Sequence, residues 1–291
     1  MNKLTPITPS TFVAFVWMLG ALTSFSLVAI AGRELGDTLP ISEILVFRSI
    51  IGLIIISLII YLARDVNPLK TQRFGLHCVR NTFHFAGQYA WFLGITLLPL
   101  AQVFALEFTV PIWTAIVAAI FLKDHISRRQ WMAIALGFIG VVIIIQPGTQ
   151  MINPPAFIVL LAAMSYAVAH TSSKSLTKTE SANTIVFYMC LIQLPMGLFL
   201  NYGHWVTPVT SDWLWIIIVS ITALSAHFCM TKAMQYAAVT TVVIIDYLRL
   251  PLITVVGILF YEETPSLGLI IGSAILIGSN IINIRDQQKN H

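Results

Sequence analysis

Ten apolar stretches, each long enough to cross a bilayer as a helix, follow one another along this chain with only short connections between them. They run at roughly 12–32, 42–62, 75–97, 100–122, 129–146, 155–173, 183–201, 212–236, 239–261 and 266–284. A spanning helix needs about 20 mostly apolar residues. Ten of them use nearly all of the 291 residues and leave no length for a separate soluble catalytic domain. Prolines fall between the stretches, among them Pro40, Pro68, Pro99, Pro147, Pro154, Pro208 and Pro265, as expected of residues that end helices. Charged residues make up 10% of the chain, against about 25% in soluble domains. That deficit is too large for a surface facing water. The pattern predicts an all-α membrane protein of ten transmembrane helices.

Lysine and arginine set the orientation, because loops on the cytoplasmic side carry an excess of both. With the N-terminus inside, the inner segments hold Lys3, Arg64, Lys70, Arg73, Lys123, Arg128, Arg129, Lys174, Lys178, Arg285 and Lys289, whereas the outer connections hold only Arg33. Both termini are therefore expected in the cytoplasm, and the net charge of +4 is accounted for by these loops without invoking nucleic acid. The first stretch could be read as a signal peptide, but its basic flank is Lys3 alone, and it has a counterpart later in the chain that must stay.

That counterpart belongs to an internal repeat. Shifting the chain against itself by about 140 positions sets Val46-Phe47-Arg48 on Val186-Phe187-Tyr188, Ser24-Phe25 on Ser165-Tyr166, Arg33 on Lys174 and Pro111 on Pro251. It also sets Phe121 on Phe260 and Asp124 through Ser127 on Glu263 through Ser266. A five-helix unit thus occurs twice, over 1–148 and 149–291. Five is odd, so the second copy must enter the membrane upside down relative to the first. Two inverted five-helix repeats are the architecture of many secondary transporters: each copy can adopt the other's conformation, giving outward-open and inward-open states of similar free energy.

The stretch Leu100-Ala101-Gln102-Val103-Phe104-Ala105-Leu106-Glu107-Phe108-Thr109-Val110-Pro111, with Phe121-Leu122-Lys123-Asp124 and Gly137-Phe138-Ile139-Gly140-Val141 after it, resembles the EamA-type transporters of the drug/metabolite transporter superfamily. In look it is nearest to the branch that carries S-adenosylmethionine and other metabolites. Phe47-Arg48 and Arg80 share the resemblance, which spans the whole chain and is clearest over 43–148. The family pattern usually closes its fourth helix with Gly-Glu, where this chain has Lys123-Asp124; the second copy keeps an acid there in Glu262-Glu263. The resemblance implies ten helices, a central substrate cavity and alternating access, with cargo that ranges over amino acids, nucleotide-like molecules and other metabolites.

Charged side chains within spans are costly, about 2.5–3.5 kcal/mol on insertion scales, and need an explanation. Arg48, Glu107, Lys232, Asp246 and Arg249 are of this kind, with His84, His170 and His227 among them. Glu107 lies one turn before Pro111, which removes the backbone donor that the carbonyl of residue 107 would use. It reads either as a carboxylate for substrate or proton, or as the structural partner of Arg48 or another buried cation. Asp246 and Arg249, three apart before Pro251, read either as a pair that neutralises itself on one helix face or as cavity residues. Lys232 reads as snorkelling and Trp113 as packing.

On the third helix His77, Asn81, His84, Gln88 and Trp91 recur every three to four residues as one polar stripe, and on the sixth Tyr166, His170 and Ser173 do the same. Both stripes must face the bundle, to line a cavity or to bond across helices. His227 aligns with Gln88 across the repeat. The expected substrate-binding set is therefore Arg48, His84, Gln88, Trp91, Glu107, Tyr166, His170, His227, Asp246 and Arg249. Gly137 with Gly140, and Gly268 with Gly272, give the fifth and tenth helices small-residue surfaces for close helix packing or a homodimer face.

No cofactor or metal is expected, since Cys78, Cys190 and Cys229 lack metal-ligand spacing and no nucleotide-binding Gly-x-x-x-x-Gly-Lys-Ser/Thr is present. The sequence favours a secondary transporter of a small polar or zwitterionic metabolite in a prokaryotic inner membrane, with the lipid bilayer as its other partner. The rival readings are a carrier-lipid flippase and an intramembrane enzyme, the latter without a His-Glu-x-x-His or Gly-x-Ser-x-Gly motif to support it.

Overall fold

Runs of apolar residues with few breakers fold as helices once the backbone has no water to bond, because only intrahelical bonds satisfy every N–H and C=O in lipid. The computed structural model describes residues 10–62, 70–122, 127–145, 154–237, 242, 245–246 and 248–289. Its helices are α1 (Thr11–Gly36), α2 (Ile41–Leu62), α3 (Phe74–Leu97), α4 (Leu100–Glu107), α5 (Val110–Leu122), α6 (Arg128–Ile145), α7 (Pro154–Leu176), α8 (Ala182–Leu200), α9 (Asp212–Tyr236), α10 (Arg249–Tyr261) and α11 (Leu267–Lys289). No strand occurs among the described residues. With α4 and α5 counted as two parts of one segment, these helices correspond to the ten stretches read from the sequence. Five of them (α1, α2, α7, α8 and α9) are long and apolar enough to cross a membrane. Lys3, Arg64, Lys123-Asp124 and the repeat boundary at 148 lie outside the described residues.

Large apolar side chains point outward all along these helices, including Ile54, Leu58, Phe199, Leu214, Leu259 and Phe260. An apolar exterior of this extent suits lipid and would be an aggregation surface in water.

The chain divides by packing into two compact units, Met1–Phe85 with Ala169–Asp246, and Ala86–Val168 with Tyr247–His291. The repeat divides the sequence, whereas packing divides the fold, and each unit takes segments from both halves of the chain. In the first unit α1 packs most extensively on α9, and α2 on α8. The α1–α9 seam is made of Ala14, Met18 and Ala21 against Cys229, Met230 and Ala233, with Ser24 Oγ and Ser225 Oγ bonded at 3.1 Å. The ammonium of Lys174 donates to the carbonyls of Met234 and Ala237 at 2.6 and 3.0 Å, capping the C-terminal end of α9, where a cation is favoured. Glu43, fully buried, accepts at Oε2 from the backbone N–H of Val206 at 2.9 Å and so fixes the loop after α8.

The start of α3 is tied to the α7–α8 connection. The Glu180 carboxylate meets His77 Nε2 at 2.5 Å and accepts from the Thr71 hydroxyl. Arg73 donates to the Ser175 carbonyl and hydroxyl, both at 2.7 Å. Burial pushes the Glu180 carboxyl up, but hydrogen bonds from His77 and Thr71, with the charges of His77 and Arg73, outweigh it and hold the group below its ordinary value of 4.5.

In the second unit α6 packs on α11 and α4 on α10. A Cβ on Gly140 would stand 2.8 Å from the Gly272 carbonyl oxygen, and one on Gly272 would stand 2.6 Å from that of Gly140. Both contacts are with backbone, so nothing flexible can yield. The small-residue surfaces expected on the fifth and tenth helices thus meet each other within one chain. The C-terminal half of α3 also approaches the N-terminal half of α7 through glycines: Gly94 lies under Val159 and Gly87 under the ring of Tyr166.

Two outcomes follow from this packing. Gly272→Ala forces α6 and α11 apart and should cost about 1–3 kcal/mol, the usual range for overpacking, read as a lower midpoint of thermal unfolding. Glu180, lowered on folding, contributes stability that is complete above its unfolded value near 4.5 and is lost as pH falls through the lower folded value. Glu180→Gln should therefore flatten the acid limb of a plot of thermal midpoint against pH.

Candidate functional site

Each unit carries its own buried polar cluster. In the second unit the cluster grows from a break in helix geometry. Pro111 has no N–H to give the carbonyl of residue 107, and the helix stops at Glu107 and resumes at Val110. Thr109 bridges the interruption. Its backbone N–H and its hydroxyl both donate to the Leu106 carbonyl, at 3.1 and 2.8 Å, and its hydroxyl accepts from Trp113 Nε1 at 3.0 Å. Trp113 itself stacks edge-on against Phe138, the packing role expected of it.

At the end of α4 the Glu107 carboxylate is held from two sides. Arg249 Nη2 donates to Oε1 at 3.0 Å, and Trp91 Nε1 donates to Oε2 at 2.8 Å. The Arg249 guanidinium lies 4.8 Å from the centre of the Phe104 ring and 5.9 Å from that of Phe108, a cation–π setting that favours Arg. The Arg249 side chain is buried, and that of Glu107 keeps 12% of its surface exposed. Of the two readings of Glu107, the structure supplies a buried cation, and it is Arg249. The helix expected to carry Asp246 and Arg249 on one face differs in detail: α10 begins at Arg249, after a turn at Leu248. Asp246 is buried and belongs to the first unit. Gln88 and Tyr166 are buried in the second unit, with Tyr166 lying over Gly87.

The first unit collects Arg48, His84, His170, His227 and Asp246 from the expected set. Arg48 Nη2 donates to Gln193 Oε1 at 2.6 Å, and Gln193 Nε2 lies 2.8 Å from His84 Nδ1. Since the guanidinium only donates, the Gln193 oxygen must face Arg48, and its amide nitrogen must then donate to His84. This fixes His84 as the neutral tautomer with its hydrogen on Nε2. The ring of His227 stands edge-on to that of His84 with centroids 4.5 Å apart, and to that of Phe25 with centroids 5.2 Å apart. His170 lies within electrostatic reach of His84. Nearby, Arg80 Nε donates to Ser173 Oγ at 3.1 Å and Arg80 Nη1 to Asn81 Oδ1 at 2.5 Å.

All five residues of the α3 stripe, His77, Asn81, His84, Gln88 and Trp91, are buried, as their cost in lipid requires. Arg80, Gln193 and Ser173 were not among the expected site residues although they hold the first cluster together. Gln193 did leave a signal, as an amide two residues before Pro195 within an otherwise apolar run that continues to Leu200.

A family model described as "EamA-like transporter family" matches residues 12–146 and again 153–285. The S-adenosylmethionine uptake transporter of Rickettsia prowazekii (strain Madrid E) is 25% identical over 275 residues, 94% of this chain and 93% of that one. The riboflavin transporter of Brucella anthropi is 28% identical over 276 residues, 92% and 97% of the two chains. The pseudopaline exporter CntI of Pseudomonas aeruginosa is 25% identical over 264 residues, 89% and 92% of the two. A solved crystal structure shares the fold with a TM-score of 0.67 at 18% identity, over 96% of this chain and 98% of its own.

Removing one partner of a buried ion pair leaves the other charge uncompensated, at a cost of about 3–5 kcal/mol, whereas replacing both by apolar groups is often neutral. Glu107→Leu alone should therefore lower the thermal midpoint sharply, and adding Arg249→Met should recover most of the loss. A double-mutant cycle in purified protein measures it.

Proposed function

We propose, because this chain belongs to the EamA-like transporter family, that it moves a small polar or zwitterionic metabolite across the cytoplasmic membrane by alternating access between two inverted repeats. The family and the named relatives are transporters and not enzymes; this chain is an integral membrane protein that transports a small molecule.

The observation that carries the finer reading is the Glu107–Arg249 pair at two proline-headed helices. α5 begins one residue before Pro111, and α10 begins two residues before Pro251. These are equivalent places in the repeat. Interrupted helices in corresponding positions of two halves are where secondary transporters form their binding sites. A carboxylate and a guanidinium already matched to each other can be re-matched to the opposite charges of a zwitterion without leaving either unpaired.

Helix pairing supports the inverted repeat. α2 packs on α8 and α6 on α11, so two helices of the first copy each lie against their own counterpart in the second, and α4, from the fourth segment, packs on α10 of the ninth. A two-fold axis relating the copies would produce such pairs. The double match of the family model supports two tandem units over 1–148 and 149–291. The basic inner segments support cytoplasmic termini, and the bacterial relatives support the inner membrane.

Purified protein should be stabilised by one class of compound in a thermal-shift screen of amino acids, nucleosides, S-adenosylmethionine and riboflavin, and proteoliposomes should take up the same compound. Glu107→Ala and His84→Ala should each reduce uptake at least about tenfold, the scale of one lost charge-assisted bond. Full uptake by both variants would remove the site. Coupling to protons through Glu107 is part of the proposal: uptake driven by a pH gradient should be lost in Glu107→Gln, and uptake indifferent to the gradient would remove that part.

A further inference from the structure

The first unit buries two guanidiniums near each other. Arg48 and Arg80 are 4% and 3% exposed, and Gln193 links them: its oxygen accepts from Arg48, and its amide nitrogen lies 3.5 Å from the backbone carbonyl of Asn81, whose side chain accepts from Arg80. Arg80 is the more telling of the two. Its hydrogen bonds go to Ser173 Oγ and Asn81 Oδ1, both neutral, and among the described residues no acidic side chain pairs with it. Five N–H groups radiate from a guanidinium; those at Nη2 make no hydrogen bond to protein among the described residues. Arg48 spends Nη2 on another neutral oxygen, that of Gln193. The amide of Gln193 holds His84 with its remaining hydrogen on Nε2, so the imidazole adds a further donor and no acceptor on that nitrogen. Glu180, which meets the start of α3, is already bound to His77 and Thr71.

The contrast with the second unit is direct. There Arg249 is matched by Glu107. A cation in hydrocarbon is normally paired, and neutral oxygens satisfy the direction of its hydrogen bonds without answering its charge. A planar fork with donors to spare fits a carboxylate or phosphate through two parallel bonds, which lysine cannot supply.

We propose that Arg80, with Arg48 behind it, is an oxyanion-binding site that takes the carboxylate or phosphate of the transported molecule. This rests on the transport reading, because a site so buried is reached only in another state of the cycle. It narrows that reading: the cargo carries a negative group, which meets Arg80 in one state of the cycle whether or not it meets Arg249 in another.

The test uses full-length protein in phosphatidylcholine nanodiscs at fixed ionic strength. Probes are matched pairs that differ in the anionic group: glutamate and glutamine, phenylalanine and phenylalaninamide, AMP and adenosine, with inorganic phosphate added alone. In at least one pair the anionic member should bind at least about tenfold tighter in the wild type, the range of hydrogen bonds to a charged group. Arg80→Met should bring the pair to within twofold, and Arg80→Lys should fall between. If Arg80→Met does not yield folded protein, Arg80→Lys decides, by at least halving the split on a logarithmic scale.

No pair split by charge in the wild type, or a split unchanged in the Arg80 variants, overturns the proposal. Arg80-dependent stabilisation by phosphatidylglycerol nanodiscs in place of any soluble probe would assign the oxyanion to a lipid headgroup and overturn the cargo assignment. Uptake of a neutral compound that persists in Arg80→Met removes this site and leaves transport standing. An Arg80-dependent split in a protein that moves nothing does the reverse.

Discussion

A polar group carried into hydrocarbon finds no water to answer it, and that constraint arranges the side chains of both units. Several buried donors on α3 have a protein acceptor: Trp91 reaches Glu107, Asn81 reaches the Tyr188 carbonyl, and Arg80 Nε reaches Ser173. Glu43 and Lys174 answer loop and helix-end backbone in the same way. What differs between the units is how charge is treated. In one, a carboxylate and a guanidinium cancel; in the other, the Arg80 guanidinium leans on an amide and a hydroxyl.

Such networks need helices close enough for short side chains to meet. In the second unit that closeness comes from residues with no side chain at all, with Gly140 and Gly272 backbone to backbone and Gly94 beneath Val159. Lipid offers no hydrophobic gain for bringing helices together, so the gain is dispersion between surfaces in contact. Cys229 against Gly20, and Cys190 against Gly52, do the same in the first unit, which gives two of the three cysteines a packing role.

Helix positions were legible because each is set by a local quantity, the length of an apolar run between breakers. α9 begins and ends at 212 and 236 as read, and α3 was legible despite four polar residues because their period kept them on one face. The family was legible too, from the stretch around Glu107 and Pro111. Pairings were less so, since Glu107 had several buried cations as candidates and only the fold selects Arg249. Gln193 and Ser173 gained their roles from residues about a hundred or more positions away, a separation that no period or spacing encodes. Asp246 and Arg249 show the limit of a helical-face argument, because the helix proved to begin at Arg249 itself.

The interruption between α4 and α5 carries a mechanical consequence. In an unbroken helix, bending strips hydrogen bonds from the convex side. Here the carbonyl of residue 107 has no proline N–H to lose, and that of Leu106 is bonded by Thr109 from within the turn itself. A swing of α5 about residues 108–109 therefore rotates a few backbone dihedrals and strips little from the helical ladder. The pivot lies next to the carboxylate that Arg249 and Trp91 hold, so a hinge and its clasp occupy adjacent residues.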